Sequence, residues 1–219
     1  MTDRQSNIVY TIGHSNHTIE DFVSLLKKHG IDCIADVRST PYSHYNTQFN
    51  REFLVSELRN ANIEYVYLGN QLGARTDDAR CYNGNSVNFE CLAKTEQFHI
   101  GLEHLADISM KYRVALMCAE KDPIECHRFI LICRNLKNSG LHIKHILSDG
   151  GIEDNNETER RLVRMLKIEP TLFDPTKTQA ELIDQAYEQQ ANNISYDSSE
   201  QEKIHYAGGV LPENCTSVN

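Results

Sequence analysis

The strongest constraint on how this chain folds is the alternation of short apolar runs with amphipathic segments between residues 8 and 147. Residues 8–12, 31–37, 63–68, 114–118 and 143–147 are apolar or β-branched and bounded by glycine or polar turns, the pattern of buried strands. The stretches between them carry helix signals. Thr18 and Asp21 have capping-box spacing, Ile19, Phe22, Val23, Leu25 and Leu26 fall on one face, and Gly30 supplies a stop. Asn50 is a candidate N-cap for a helix through Asn60, with Phe53, Leu54 and Leu58 expected to face the core, and residues around 96–108 return to helical period. Asp122 can cap a further helix that starts at Pro123, with Glu125 as its capping-box acid and Phe129, Ile130, Cys133 and Leu136 as its apolar face before Gly140. Strands separated by helices cannot pair as hairpins. The expected fold is therefore a three-layer α/β domain, a mainly parallel sheet of about five strands with helices on both faces. Residues 69–90 break the pattern with three glycines and several Asn and Asp, and read as a long loop of the kind that is usually functional or disordered.

The pattern divides the chain into an α/β domain at 1–150 and an acidic, partly helical C-terminal extension at 151–219. In the extension a charged helix is expected near 157–166, a proline-containing link at 169–175, and a helix around 179–190. The apolar face of that last helix (Leu182, Ile183, Ala186, Tyr187) can dock on its own domain or on another subunit, its own domain being favoured, and the polar end from Asn192 reads as disordered. The formal charge is −9, from 31 acidic against 22 basic residues. Residues 1–150 hold 16 Lys/Arg against 18 Asp/Glu and residues 151–219 hold 6 against 13, so the acidity sits mainly in the extension. Broad nucleic-acid binding is disfavoured by this balance, but a nearly neutral domain can still bind one small anion. No apolar run reaches membrane-spanning length and residues 1–7 lack a signal core, so no membrane partner is expected and the reading is a cytoplasmic protein. In that setting the seven cysteines are expected to be free thiols, and no C-x-x-C pair occurs.

In open parallel sheets, ligands bind beyond the carboxyl ends of the strands. Three strand ends there carry polar, ionisable groups: Gly13-His14-Ser15-Asn16, Asp36-Val37-Arg38-Ser39, and Cys118-Ala119-Glu120 leading to Cys126-His127-Arg128. Together they place a thiol, carboxylates, imidazoles and guanidiniums along one edge. Cys118 is the candidate nucleophile, with His14 or His127 as proton carrier and Glu120 or Asp36 orienting an imidazole. Arg38, Arg128 and the helix start near Pro123 would hold an anion. Plainer roles compete at each position: Cys126 has core spacing with Ile130 and Cys133, Asp36 can pair with Arg38, and His14 can bond a loop carbonyl. A metal set drawn from Cys118, Cys126, His127 and either His14 or Cys81 is disfavoured, because adjacent residues on a helix diverge by ~100°; no metal ligand is assigned. Residues 46–51 with Tyr42, Tyr45, Tyr65 and Tyr67 offer an aromatic, basic surface for nucleobases, though tyrosines in strands usually pack.

The order of motifs closely resembles the domain of unknown function 488 family. The residues that carry the likeness are Tyr10-Thr11-Ile12-Gly13-His14-Ser15, Asp36-Val37-Arg38 with Pro41 and Ser43, Gln48-Phe49-Asn50, and Cys118-Ala119-Glu120 with Asp122-Pro123 and Cys126-His127-Arg128, over about residues 8–147. The resemblance implies a compact α/β domain, mainly microbial, whose polar motif suggests an enzyme of unassigned reaction. By position it points to His14, Ser15, Asp36, Arg38, Cys118, Glu120, Cys126, His127 and Arg128. Two departures stand out: His44 follows Ser43 where the family commonly has Arg, and the Gly69–Arg75 stretch only loosely matches Leu-Gly-Gly-Arg.

The expected function is an enzyme that binds a small anionic or nucleotide-like substrate at the carboxyl edge of the sheet. Catalytic groups would be Cys118, His14, Glu120 and Asp36, and substrate-binding groups Ser15, Arg38, Ser43, Cys126, His127 and Arg128. No cofactor or oligomeric state is assigned from sequence. Two alternatives are a non-catalytic nucleic-acid or protein binding module and a metal-assisted hydrolase.

Overall fold

A computed structural model describes residues 7–137, 139–170 and 176–195. In chain order, β1 (Ile8–Gly13) leads to α1 (Ile19–Lys28), β2 (Cys33–Asp36), α2 (Arg51–Asn60) and β3 (Glu64–Tyr67). A short α3 (Gly69–Leu72), a hairpin of β4 (Tyr82–Asn83) and β5 (Ser86–Val87), α4 (Phe89–Ala93) and α5 (Glu96–Lys111) precede β6 (Val114–Cys118). A π-helical segment, Arg128–Cys133, runs into α6 (Arg134–Leu136), and β7 (His142–Ile146), β8 (Ile152–Asp154), α7 (Asn155–Met165) and α8 (Gln179–Ile194) follow.

The main sheet has the order β3-β2-β6-β1-β7-β8, and every pairing is parallel except β7 with β8. It is the expected mainly parallel α/β fold, with six strands rather than about five. The extra strand is three residues long and too short to show a period, and its antiparallel pairing needs only the turn after β7. Both faces of β6 are buried and split by strand alternation. Val114, Leu116 and Cys118 join one core cluster, and Ala115 and Met117 join the other. Phe22, Leu26, Leu54 and Leu58 of α1 and α2 cover the second face, whereas Phe98, Leu105, Phe129 and Leu162 cover the first.

Local signals explain most element ends. Thr18 Oγ1 accepts from Asp21 N, and the backbone turns at Gly30 with φ +65°. Asn50 precedes α2, but its Oδ1 accepts from Ser43 N at 2.7 Å instead of capping the helix. Phe53 departs from expectation: it is 47% exposed, while Leu54 and Leu58, four residues apart, fill the core. The predicted loop at 69–90 contains α3, a 3-10 turn and the β4–β5 hairpin, and Cys81 is disulfide-bonded to Cys91. The expectation of free thiols throughout is corrected there, because ten residues of separation let the turn at Ala79–Cys81 and α4 bring the two sulfurs together. Cys33, Cys118, Cys126 and Cys133 are free thiols.

The helix expected after Asp122 is also broken. Asp122 does accept from Ile124 N, and Pro123–Glu125 forms a 3-10 turn, but Cys126 leaves helical geometry with φ −132° and ψ 140° before the π-helical segment begins. Residues beyond 150 complete the body of the protein. Strand β8 extends the sheet, and Leu162, Ile183, Ala186 and Tyr187 lie in the same core cluster as β6, so α8 docks on its own chain as its apolar face predicted. The end expected to be disordered from Asn192 is instead helical as far as Ile194, as the last turn of α8, and residues from 196 onward lie outside the described residues. Among the described residues no helix is long and apolar enough to cross a membrane.

Candidate functional site

The three central strands, β2, β6 and β1, end side by side, and their loops stay bonded past the sheet. Val37 N donates to Met117 O at 3.1 Å, His14 N to Cys118 O at 2.9 Å, and Ser15 N to Ala119 O at 2.9 Å. Gly13 makes this closure possible, since a Cβ there would lie 1.8 Å from Glu120 O. The motifs from all three strand ends therefore converge, but into two groups with different surroundings.

The first group is His14, Asp36 and Arg38, all buried. Asp36 Oδ1 accepts from Arg38 N (3.1 Å) and Nε (2.9 Å), and its Oδ2 from Arg38 Nη2 (2.7 Å) and the Tyr65 hydroxyl (2.8 Å). This carboxylate is fully engaged in holding Arg38, and it orients no imidazole directly. His14 stacks on Phe49 with ring centroids 4.2 Å apart; its Nδ1 faces Ser15 O at 3.0 Å and its Nε2 faces Arg38 Nη1 at 3.4 Å. A carbonyl only accepts and a guanidinium only donates, so these partners select the neutral Nδ1–H tautomer. Burial and the Arg38 charge agree, lowering the His14 pKa to about 4. Ser15 bonds Ala119 through its backbone with φ 47°, and Ser43 accepts from Tyr45 N and Asn46 N inside its own turn. Neither lines the pocket described below.

The second group is Cys118, Glu120, Cys126, His127 and Arg128. Both Cys Sγ atoms lie 3.0 Å from Glu120 Oε2. His127 Nδ1 is 3.6 Å from Cys118 Sγ and 3.9 Å from Cys126 Sγ, and its Nε2–H donates to Val37 O at 3.1 Å. Contrary to expectation, Cys126 and His127 face one point, because Cys126 is extended (φ −132°, ψ 140°) and only His127 enters the helical segment that follows, so the two are not successive residues of one helix. Arg128 is 1% exposed, with Nη1 donating to Glu120 O at 2.7 Å and Nη2 to Lys121 O at 3.3 Å; Nε has no partner among the described residues. It is sealed behind the cluster, where it cannot clasp a ligand from solvent but sets the local field.

A pocket of about 510 Å³ opens over this group, within the usual range for small-molecule sites. Cys118, Glu120 and His127 form its floor, and Arg38, Ser39, Thr40 and Arg75 lie along one wall. Ser39 ends the second strand-end segment named from sequence but had no role assigned there, and no site role was expected of Thr40, Arg75, Glu125 or the end of α8 at Asn193. Arg75 did carry a signal, as the last residue of the loose Leu-Gly-Gly-Arg match.

The expected nucleophile meets a split in properties. Cys118 lines the pocket at 3% exposure, but hydrogen bonding to Cys126 and burial push its thiol well above the ordinary range. Burial also opposes ionisation of Cys126, yet the Cys118 hydrogen bond and the Arg128 charge hold its thiol well below the ordinary range. Cys126, however, is 0% exposed and does not line the pocket. The sulfur that meets the pocket is thus one whose ionisation the shared hydrogen bond and burial oppose, and direct attack by Cys118 would need that thiol to lose its proton. Burial raises the Glu120 carboxyl, with the Cys126 sulfur adding to it; burial opposes charge on His127, and Cys126 outweighs that and raises its imidazole.

The family model described as "Domain of unknown function DUF488" covers residues 18–134, more than half of the chain, and includes Asp36, Arg38 and the whole second group. No curated protein matches the chain.

Proposed function

We propose that this chain, which belongs to the DUF488 family, is an enzyme that takes a small anionic or nucleotide-like molecule into the pocket over Cys118, Glu120 and His127. One observation carries the reading: an open pocket of ligand size is lined by the Cys118 thiol with the Glu120 carboxyl 3.0 Å and the His127 imidazole 3.6 Å from its sulfur, backed by a second thiol. Such groups are expensive to gather in a buried position, and structural need does not explain their facing a cavity. The Ser39 and Thr40 hydroxyls and Arg75 provide donors on the wall for an anionic group. Cys118 is the residue through which bound substrate meets the cluster.

The test is a panel of small phosphates, carboxylates and nucleotides read by thermal unfolding. A true ligand at ~100 times its Kd should stabilise the fold by about 2.7 kcal/mol, and Cys118→Ala should abolish turnover of that ligand while leaving the melting temperature of the free chain close to wild type. The reading fails if no small anion stabilises the protein, or if turnover survives in Cys118→Ala. Steeply salt-dependent binding of nucleic acid without turnover would favour the binding-module alternative instead.

A further inference from the structure

The geometry points to a divalent-cation site at the floor of the pocket, formed by Cys118 Sγ, Cys126 Sγ and His127 Nδ1, with the fourth position shared between Glu120 Oε2 and an oxygen entering from the pocket. The ion class is borderline-soft, of the Zn2+ type, because two sulfurs and an imidazole nitrogen select it over Mg2+ or Ca2+. The inference rests on reading the pocket as a reaction site, and it replaces direct attack by the Cys118 sulfur with ligation by it.

Three observations support it, and a charge balance in the loaded state is consistent with them. The first is spacing. With metal–S near ~2.3 Å and metal–N near ~2.0–2.1 Å, a tetrahedral ion places S and N about 3.6 Å apart. The Sγ–Nδ1 separations are 3.6 and 3.9 Å, and the three ligand atoms all lie within 4.8 Å of one another. The second is tautomer. Val37 O can only accept, so it fixes the His127 proton on Nε2 and leaves the Nδ1 lone pair directed at the sulfurs, as the outer partners of metal-bound histidines do. The third is outer support for sulfur: Arg128 N donates to Cys126 Sγ at 3.5 Å. In the loaded state, two thiolates and the Glu120 carboxylate carry three negative charges, and a divalent ion with the buried Arg128 guanidinium carries three positive, so the closed cluster is neutral.

Glu120 is the exchangeable ligand. Its Oε2 lies 3.0 Å from both sulfurs, closer than the roughly 3.5 Å that a shared tetrahedral ion sets, so it must draw back as the ion enters. It also faces the pocket, where a substrate oxygen can displace it. An ion here supplies a positive anchor at the thiol cluster itself, in addition to Arg75 on the wall, since the Arg38 charge is committed to Asp36 and Arg128 is sealed behind the cluster. Three protein ligands and one open position form the arrangement of catalytic rather than structural zinc sites. Bound there, the ion would polarise a carbonyl or phosphoryl oxygen of the substrate.

The experiment is titration of the reduced, metal-free full chain with Co2+, followed by displacement with Zn2+. The expected result is uptake of one ion per chain with a thiolate-to-cobalt charge-transfer band, lost in Cys126→Ser and in His127→Ala, whereas Glu120→Gln keeps the thiolate band but shifts the visible ligand-field bands. Should those variants fail to fold, X-ray absorption of the zinc-loaded wild type decides, with two sulfur neighbours near ~2.3 Å and at least one nitrogen near ~2.0–2.1 Å expected. No thiolate band in the wild-type chain, or an ion bound only by oxygen and nitrogen, overturns the site. The two readings fail separately: small-anion stabilisation of a chain that takes up no ion overturns the ion alone, and cobalt uptake without any anion response overturns the substrate pocket alone.

Discussion

Replacing Gly13 with alanine tests whether the cluster depends on the close approach of two strand ends. The new methyl would lie 1.8 Å from Glu120 O and 2.8 Å from Glu120 C, both backbone atoms, and 3.2 Å from Arg128 Nη2. Relief requires the Glu120 peptide to move by more than about an ångström, toward the ordinary contact distance between non-bonded carbon and oxygen. That peptide cannot move alone, because its oxygen accepts from Arg128 Nη1 at 2.7 Å and the preceding carbonyls hold the backbone of His14 and Ser15. Two costs follow: overpacking of a tight backbone junction, ~1–3 kcal/mol, and weakening of a hydrogen bond to a buried cation, ~1.5–3 kcal/mol. The expected loss is about 3–5 kcal/mol, a fall of roughly 10–15 °C in melting temperature for a chain of this size. Urea unfolding monitored by circular dichroism measures it. Gly84→Ala is the control: its φ is +62° but nothing lies within 4 Å, so only backbone strain of about 1 kcal/mol is expected. If Gly13→Ala costs no more than Gly84→Ala, the strand ends are not locked together and the account of the cluster's assembly is wrong.

Two further outcomes follow from buried groups away from the pocket. Burial, with the Arg128 charge next, lowers the His145 pKa to about 4, and the neutral ring is held between Thr11 Oγ1 at 2.8 Å and Asn155 Oδ1 at 3.2 Å. Because the unfolded value is near 6.5, His145 leaves stability intact above that pH and removes it as pH falls from 6.5 to 4, by about 3 kcal/mol in full. Unfolding free energies of wild type and His145→Gln across that window should converge toward low pH, and parallel curves would refute the assignment. A chain ending at residue 150 loses β8, α7 and α8, and with them Leu162, Ile183 and Tyr187 of the shared core, each worth ~1.5–3 kcal/mol of burial. It should be cleaved quickly by protease and show collapsed amide dispersion, whereas a well-dispersed spectrum would mean that residues 1–150 fold alone.

The fold was legible because both of its determinants are local. Apolar runs such as Val114–Cys118 and caps such as Thr18 and Asp122 are set by neighbours a few residues away, so strand–helix alternation, parallel pairing and even the docking face of α8 could be read from the chain itself. What escaped was short or depended on contacts distant in sequence: the three residues of β8, the Cys81–Cys91 bridge, and Phe53, whose neighbour Leu54 took the core position.

The candidate site divides along the same line. The sequence by itself determined which chemical groups arrive at the carboxyl edge, because strand ends of a parallel sheet share one side, and it thereby brought His14, Asp36, Arg38, Cys118, Glu120, Cys126, His127 and Arg128 to one region. Only the tertiary structure decided how those groups are used. Asp36 is consumed by Arg38, Arg128 is closed off behind Glu120, and the break at Cys126 turns two adjacent side chains toward the same point as Cys118. Pairing, sealing and backbone breaks arise from atoms brought together across distant segments, and a one-dimensional pattern holds no record of that competition.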